Sequence, residues 1–201
     1  MQPHFLFNSL NTIHAMLQIN LPAADRALIS LSDSYRFLTD RADAELIAFR
    51  EEWEFLQSYL ELTRLRFADT IDVQITFRGD MERDYDDLRV PPLILQPLVE
   101  NAVQHGLRGR SGHGQLEISV RRRGPWLRFE CLDNGVGLPE DFAQTGFRDG
   151  GTLANIRSRL RYHFARSKLL LANRPALSTE DTAGVRTLLC FRDARPPGQS
   201  A

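Results

Sequence analysis

At Ile71 the period of the apolar pattern changes, and this change constrains the fold more than any other feature of the chain. Upstream, Leu6, Leu10, Ile13 and Leu17 recur at i, i+4, i+7 and i+11, one continuous helical face. That first helix is expected to run to about Ile19 and stop near Pro22. A second helix is predicted over about Ala23–Thr39, with Leu28, Leu31, Tyr35 and Leu38 as its apolar stripe. Asp40–Glu45 reads as a connection, and a third helix covers about Arg50–Phe67, turning Trp53, Leu56, Leu60 and Leu65 inward. From Ile71 to Phe77 apolar and polar residues alternate strictly, as in a half-buried strand. A helical module of the bundle type therefore precedes a sheet.

Beyond Ile71 the spacing predicts a short strand near Leu88–Val90, a helix over Pro91–Leu107, and strands over Gln115–Arg122 and Trp126–Leu132 joined by a Gly124-Pro125 turn. Residues 138–149 read as loop. A helix over Gly150–Phe164 carries Leu153, Ile156, Leu160 and Phe164 at helical spacing, and strands follow over Leu169–Ala172 and Val185–Phe191. The fold class is α+β, with helices on one face of an antiparallel or mixed sheet. The Pro/Gly/polar tail from Arg195 is expected to fray.

Composition narrows the function classes. The chain has 201 residues, 42% hydrophobic and 25% charged, which suits one large domain or a domain with a small helical module. A net charge of −1 gives no bulk case for nucleic acid or an anionic membrane, and Arg121-Arg122-Arg123 reads as a solvated strand end. Cys131 and Cys190 lie in strand-like runs without CxxC spacing, as buried free thiols in a reducing compartment would. No apolar run is long enough to span a bilayer, and no signal peptide is visible. A helical pattern that starts at Met1 without cap or lead-in suggests the C-terminal part of a longer protein.

The segment PPLILQPLVENAVQHGL, Pro91–Leu107, buries Leu95, Leu98, Val99 and Ala102 on one helical face. Its two prolines suit a helix start and Gly106 suits its end. Glu100, Asn101, Gln104 and His105 form a dense polar flank, either an ordinary wet side or a functional one. Near the start, His4, Asn8 and Asn11 share a helix side, as a solvated stripe or as the setting of an imidazole nucleophile. His14 lies nearer the apolar side and is assigned to packing. Asp133-Asn134-Gly135-Val136-Gly137 is either an Asn-Gly hairpin turn or a purine pocket, in which a buried carboxylate accepts from an exocyclic amine beside backbone that glycine lets come close. Gly150-Gly151-Thr152-Leu153 opens a helix, as a hinge and cap or as backbone N–H groups for phosphate. There is no GxxxxGK[ST], and Lys168 is the only lysine in the chain, which excludes a P-loop. His105 and His113 lack partners at metal-ligand spacing; an oxygen-ligated Mg²⁺ held by Asn101 and nucleotide phosphates fits better.

Together these segments resemble the sensor histidine kinases of the LytS/YehU type, over roughly residues 1–192. MQPHFLFNSLNTI is similar to the family's phosphoacceptor box, YLELTRLRF (59–67) to its helical connector, and PPLILQPLVENAVQHGL to its N box. DNGVGL (133–138) and GTLANIRSRL (151–160) resemble the two glycine boxes. The resemblance implies a helical phosphoacceptor and dimerisation module over 1–68 and a Bergerat-type α/β sandwich that binds ATP over 69–194, with 195–201 as tail. It implies that His4 takes the γ-phosphate, that Asn101 ligates Mg²⁺, and that Asp133 binds the adenine amine with Gly135 and Gly137 shaping the pocket. It assigns 138–149 to an ATP lid, and Gln104, His105, Gly150, Gly151, Thr152 and Leu153 to the nucleotide site. Phosphate then passes from His4 to a response regulator, of LytTR type, and the chain is a homodimer in the cytoplasmic part of a membrane-attached sensor. Thr152 stands where the second glycine box has a glycine, Gln104 where a lysine is frequent, and Phe5 where many histidine kinases carry an acid. Glu100 is the candidate base. The rival readings are an ATPase of the same superfamily and a catalytically silent partner that signals by conformation. An ATPase needs its water-activating Glu one turn before the Asn, where this chain has Pro97.

Overall fold

The computed structural model describes residues 3–67, 70–107, 113–142, 147, 150–174 and 184–193; the side chains of His4, Phe5, Asn8 and His105 and the tail from residue 195 lie outside the described set. Helix α1 spans Pro3–Ile19 and α2 spans Leu21–Arg41. Asn20 Oδ1 accepts from the Ala23 amide at 3.1 Å, and Pro22 sits in the first turn, so the proline opens the second helix within two residues of the first. Strand β1 (Ile47–Ala48) leads into α3 (Phe49–Arg66), and β2 (Ile71–Arg78) and the short α4 (Met81–Asp84) follow. Strand β3 (Arg89–Val90) pairs antiparallel with β1, outside the main sheet.

Next come α5 (Gln96–Asn101), which continues into a π-helical turn over Ala102–Leu107, then β4 (Gly114–Arg123) and β5 (Trp126–Asp133). Helix α6 (Thr152–His163), β6 (Ser167–Asn173) and β7 (Val185–Arg192) complete the described chain. The five-stranded sheet has the order β2-β4-β5-β7-β6; β2 runs parallel to β4, and every other pair is antiparallel. The sheet is thus mixed, and the fold is α+β.

The core lies on one face of this sheet. Leu116, Ile118, Val120, Phe129, Leu189 and Phe191 meet Leu56 and Leu60 of α3, Leu98 and Val99 of α5, and Ile156 and Leu160 of α6. A smaller cluster joins Ile13 of α1 and Ala27 and Leu31 of α2 to Leu62 of α3. Helix α3 therefore belongs to both clusters, and the helical module and the sheet share a wall. No helix among the described residues is long and apolar enough to cross a membrane.

Several expectations change. The buried face of α2 is Ala23, Ala24, Ala27, Leu31 and Ser34, while Leu28 and Tyr35 are more than half exposed. Small side chains let α2 approach its neighbours closely, and the larger residues are turned outward. On α1, Ile13 is buried but Leu10 and Leu17 are exposed, so that apolar face is covered only in part. His14 is exposed and does not pack. Pro91 and Pro92 do not open a helix: the chain turns through Leu93, whose φ of 59° is left-handed, and α5 begins at Gln96. Arg122 is not a solvated strand end. Its guanidinium grips both oxygens of Asp87 and also donates to the Asp84 carbonyl at 2.8 Å. Cys131 is buried, whereas Cys190 is half-buried.

Candidate functional site

The placement of α5 starts from a glutamate on the inward stripe of α3. Glu52 is fully buried, and its carboxylate accepts from the backbone N–H groups of Leu93, Ile94 and Leu95, each at 2.8 Å. These amides precede α5, so their partners come from another helix rather than from their own. From the other side, Arg159 of α6 donates to the Pro92 carbonyl at 2.7 Å. Burial pushes the Glu52 carboxyl up to about 7, against the downward pull of the three amide bonds and of the Arg159 charge.

Helix α5 carries Glu100 and Asn101 at its end. Glu100 Oε2 accepts from Gln96 Nε2 and Oε1 from Gln104 Nε2, both at 2.6 Å, so one amide orients each oxygen. Gln104 lies in the π-helical turn, and the widened turn presents it to Glu100. Across from this helix, the Tyr59 hydroxyl of α3 is kept protonated by burial and by the negative charge of Glu100. Asn101 is partly exposed. Among the described residues no group of three or more His, Cys, Asp or Glu side chains could hold a metal ion by itself.

Asp133 ends β5 on the core side of the sheet and is 2% exposed. Its Oδ1 accepts from the Gly135 amide at 2.9 Å and from the Val185 amide at 3.2 Å. Burial raises the carboxyl above the usual range, and the two amide bonds and Arg174 oppose the rise. Asn134-Gly135 is not a hairpin turn. Asn134 Oδ1 accepts from the Gln115 amide at 2.7 Å, tying the strand end back to β4, and Gly137 follows with a φ of 83°. Leu138 N–H then donates to Asn173 Oδ1 at 2.7 Å. Of the segment assigned to a lid, residues 138–142 and Phe147 are described; Leu138, Phe142 and Phe147 pack on the core, with Arg157 of α6 over the Phe147 ring at 4.9 Å.

Gly150, with a φ of 75°, and Gly151, in extended backbone, lead into α6, whose N-terminus has no side-chain cap. This end faces α5 across a cleft of about 330 Å³. Gln96, Pro97 and Glu100 line one wall, Gly150, Thr152 and Arg159 another, and Leu38 of α2 and Phe55 of α3 close it from the helical module. Glu100, Gly150 and Thr152 are thus brought together. Asp133, Gly135 and Gly137 do not line this cleft. They lie at the end of β5 and in the segment that follows it, and the π-helical turn packs on β4 and β5 on its way from α5. Leu153 is half-buried against the core. The backbone of His4 and His105 lies in α1 and in the π-helical turn, with their side chains outside the described set.

Sequence reasoning passed over three residues here. Glu52 falls between Phe49, Trp53 and Leu56 on the inward stripe of α3, so an acid on an apolar face was the available signal. Arg159 had no such mark. Gly184 is buried where the chain enters β7, and a Cβ there would stand 1.8 Å from the Asp133 carbonyl oxygen. Only glycine permits this approach, which also brings the Val185 amide to Asp133. Gly184→Ala is expected to destabilise the chain by about 1–3 kcal/mol, measured by urea unfolding, with faster amide exchange at Gly135 and Val185.

The chain is similar to known proteins in sequence and in fold. The histidine kinase family model matches residues 1–71. The sensor protein LytS of Oceanobacillus iheyensis is 37% identical over 138 residues, covering 69% of this chain and 23% of the relative. The sensor histidine kinase/phosphatase LytS of Staphylococcus aureus is 30% identical over 197 residues, covering 94% of this chain and 32% of the relative. The chain spans about a quarter to a third of the length of these curated relatives. The histidine kinase ThkA, in its crystal structure with the response regulator TrrA, aligns with a TM-score of 0.52 at 16% identity, over 94% of this chain and 59% of that one, a likeness of fold. By sequence kinship, the chain belongs to the LytS-type sensor histidine kinases.

Proposed function

We propose that this chain carries out ATP-dependent autophosphorylation on His4 and passes the phosphate to an aspartate of a response regulator. The observation that carries this reading is the shared cleft. Glu100 and the start of α6 meet there, and Leu38 and Phe55 of the helical module form its remaining wall. A site built to transfer phosphate between two modules needs a cavity that opens to both.

Each residue has a definite task in this reading. Asp133 accepts a hydrogen bond from the adenine amine on Oδ2, since Oδ1 already holds two backbone amides. Gly135 and Gly137 keep side-chain bulk out of the ring's path. The uncapped N–H groups at Thr152 and Leu153 face phosphate oxygens, with the helix dipole adding attraction and Gly150 and Gly151 letting the backbone approach. Asn101 offers its amide oxygen to Mg²⁺, which when bound supplies charge neutralisation for the phosphates. Gln104 and His105 stand in the turn beyond Asn101, and Gln104 acts by holding Glu100.

An imidazole nitrogen of His4 attacks the γ-phosphorus; an N–P bond forms, the bond to the bridging β,γ-oxygen breaks, and ADP leaves. Glu100, oriented by Gln96 and Gln104, takes the proton that His4 gives up. Pro97 occupies the position one turn before Asn101, where a hydrolase holds its base, so water is not activated there. The phosphoacceptor and ATP-binding roles divide near residue 68, although α3 packs with both parts. Exposed Leu10, Leu17, Leu28 and Tyr35 on α1 and α2 supply the homodimer surface. A response regulator is the partner, a reading supported by the ThkA complex with TrrA, and kinship with LytS leads us to place that regulator in the LytTR type. The module sits on the cytoplasmic side of a membrane-attached sensor.

Incubation with γ-labelled ATP and Mg²⁺ is expected to give an acid-labile, base-stable label. His4→Gln should abolish that label without changing ATP affinity; a fully labelled His4→Gln chain would overturn the assignment. Inosine triphosphate presents a carbonyl where adenine has its amine, and should bind at least about tenfold more weakly than ATP. Asp133→Asn should narrow that gap, because its amide donates to the inosine carbonyl; equal preference in the variant and the parent would remove Asp133 from base recognition.

A further inference from the structure

Glu52 lies outside the residues assigned above, yet it is the fully buried carboxylate of α3 and the hydrogen-bond partner of three successive amides. Those amides belong to Leu93, Ile94 and Leu95, and α5 starts at the next residue. Leu93 is held in left-handed backbone, which a leucine does not adopt without external support. Arg159 holds the same turn from α6 by its bond to the Pro92 carbonyl and also lines the cleft. The elements that meet at this turn are therefore the helix of the bundle wall, the helix with Glu100 and Asn101, and the helix behind Gly150-Gly151-Thr152.

We propose that Glu52 and Arg159 are positioning residues that clasp the Pro92–Leu95 turn, so that the placement of Glu100 and Asn101 depends on where α3 stands. The inference rests on the kinase reading for its consequence, but its structural content does not. Displacing α3 pulls on three charge-assisted bonds at once, and each is directional. Asn101 is six positions beyond Leu95, at the end of one short helix, so a shift at the turn is carried to the metal-binding amide. Tyr59, two turns beyond Glu52 on α3, feels the Glu100 charge, which shows that α3 runs alongside α5 past the clasp. The bundle then controls phosphotransfer by setting the catalytic helix as well as by presenting His4.

The carboxylate form is required, because a protonated Glu52 turns a donor toward donors. Arg159 is the charged group that acts on it. With its carboxyl pushed up to about 7, Glu52 is ionised at pH 8 and mostly protonated at pH 6, so the clasp loosens as pH falls. A glutamine there would not titrate and would present an NH₂ to the amides.

The test uses the whole chain with Mg²⁺·ATP as probe. Hydrogen exchange at the amides of Leu93–Leu95, corrected for intrinsic pH dependence, should speed up between pH 8 and pH 6 in the unmodified protein. In Glu52→Gln the same amides should exchange faster than in the parent at pH 8 and show no such pH step. Calorimetric titration should give a Kd for Mg²⁺·ATP about tenfold weaker in Glu52→Gln at pH 8, with melting of α1 and α2 unchanged. Arg159→Lys should weaken binding in the same direction while keeping the pH step. Amides of Leu93–Leu95 as protected in Glu52→Gln as in the parent at pH 8, or a Kd for Glu52→Gln within twofold of the parent, would overturn the clasp. A chain that binds Mg²⁺·ATP and never labels His4 would overturn the kinase reading and leave the clasp standing.

Discussion

Three backbone amides on one buried carboxylate hold this structure in its working arrangement. Glu52 is taken out of water at a cost of several kcal/mol for an isolated ion. Its amide partners and Arg159 offset that cost, and they do so only if the Pro92–Leu95 turn is formed. Prolines at 91 and 92 and a left-handed Leu93 prevent the segment from closing into helix, so its N–H groups have no local acceptor. The side chain of α3 is what completes the turn, and α5 starts where that support ends. Removing the acid alone would leave three buried donors unmatched, a heavier loss than deleting a surface pair.

Helix α3 is the physical link between the bundle and the sheet. One part of it packs in the large core through Leu56 and Leu60, and another joins Ile13, Ala27 and Leu31 of the first two helices. The Phe37 and Phe55 rings stack with centroids 4.3 Å apart, pinning α2 to α3 beside the cleft. The two modules therefore meet through packed contacts along α3. The candidate residues beyond it are held differently: Asp133 accepts from the Gly135 and Val185 amides beside the close approach of Gly184, whereas the start of α6 has no side-chain cap.

Much of this was legible in the sequence where local rules and tertiary packing agree. The strands from Ile71 onward alternate as a one-sided sheet must, and they form within a residue or two of the expected limits. The outcome differs where another element supplies the missing partner. Leu28 and Tyr35 look like a core stripe, but Ala23, Ala24 and Ala27 are buried instead, and Ala27 and Leu31 are the residues that cluster with Leu62 of α3. The two prolines look like a helix start because Glu52, 41 residues upstream of Leu93, cannot be seen as their partner from spacing alone. The π-helical turn over Ala102–Leu107 has no pattern that separates it from α-helix, and its effect is to aim Gln104 at Glu100. The candidate site residues were readable as a group, through the order of their motifs, but not that Glu100, Gly150 and Thr152 line one cleft with Leu38 and Phe55.

The distinction between phosphate transfer and hydrolysis is the point on which the whole account turns. In the proposed reading Pro97 leaves no hydrolytic base one turn before Asn101, and Glu100 is held by two side-chain amides in a cleft that Leu38 and Phe55 help to line. A single-turnover measurement of ADP, free phosphate and protein-bound phosphate from Mg²⁺·ATP tests this directly. The account predicts one protein-bound phosphate for each ADP released, with little free phosphate. Sustained release of free phosphate, with none retained on the protein, would contradict it.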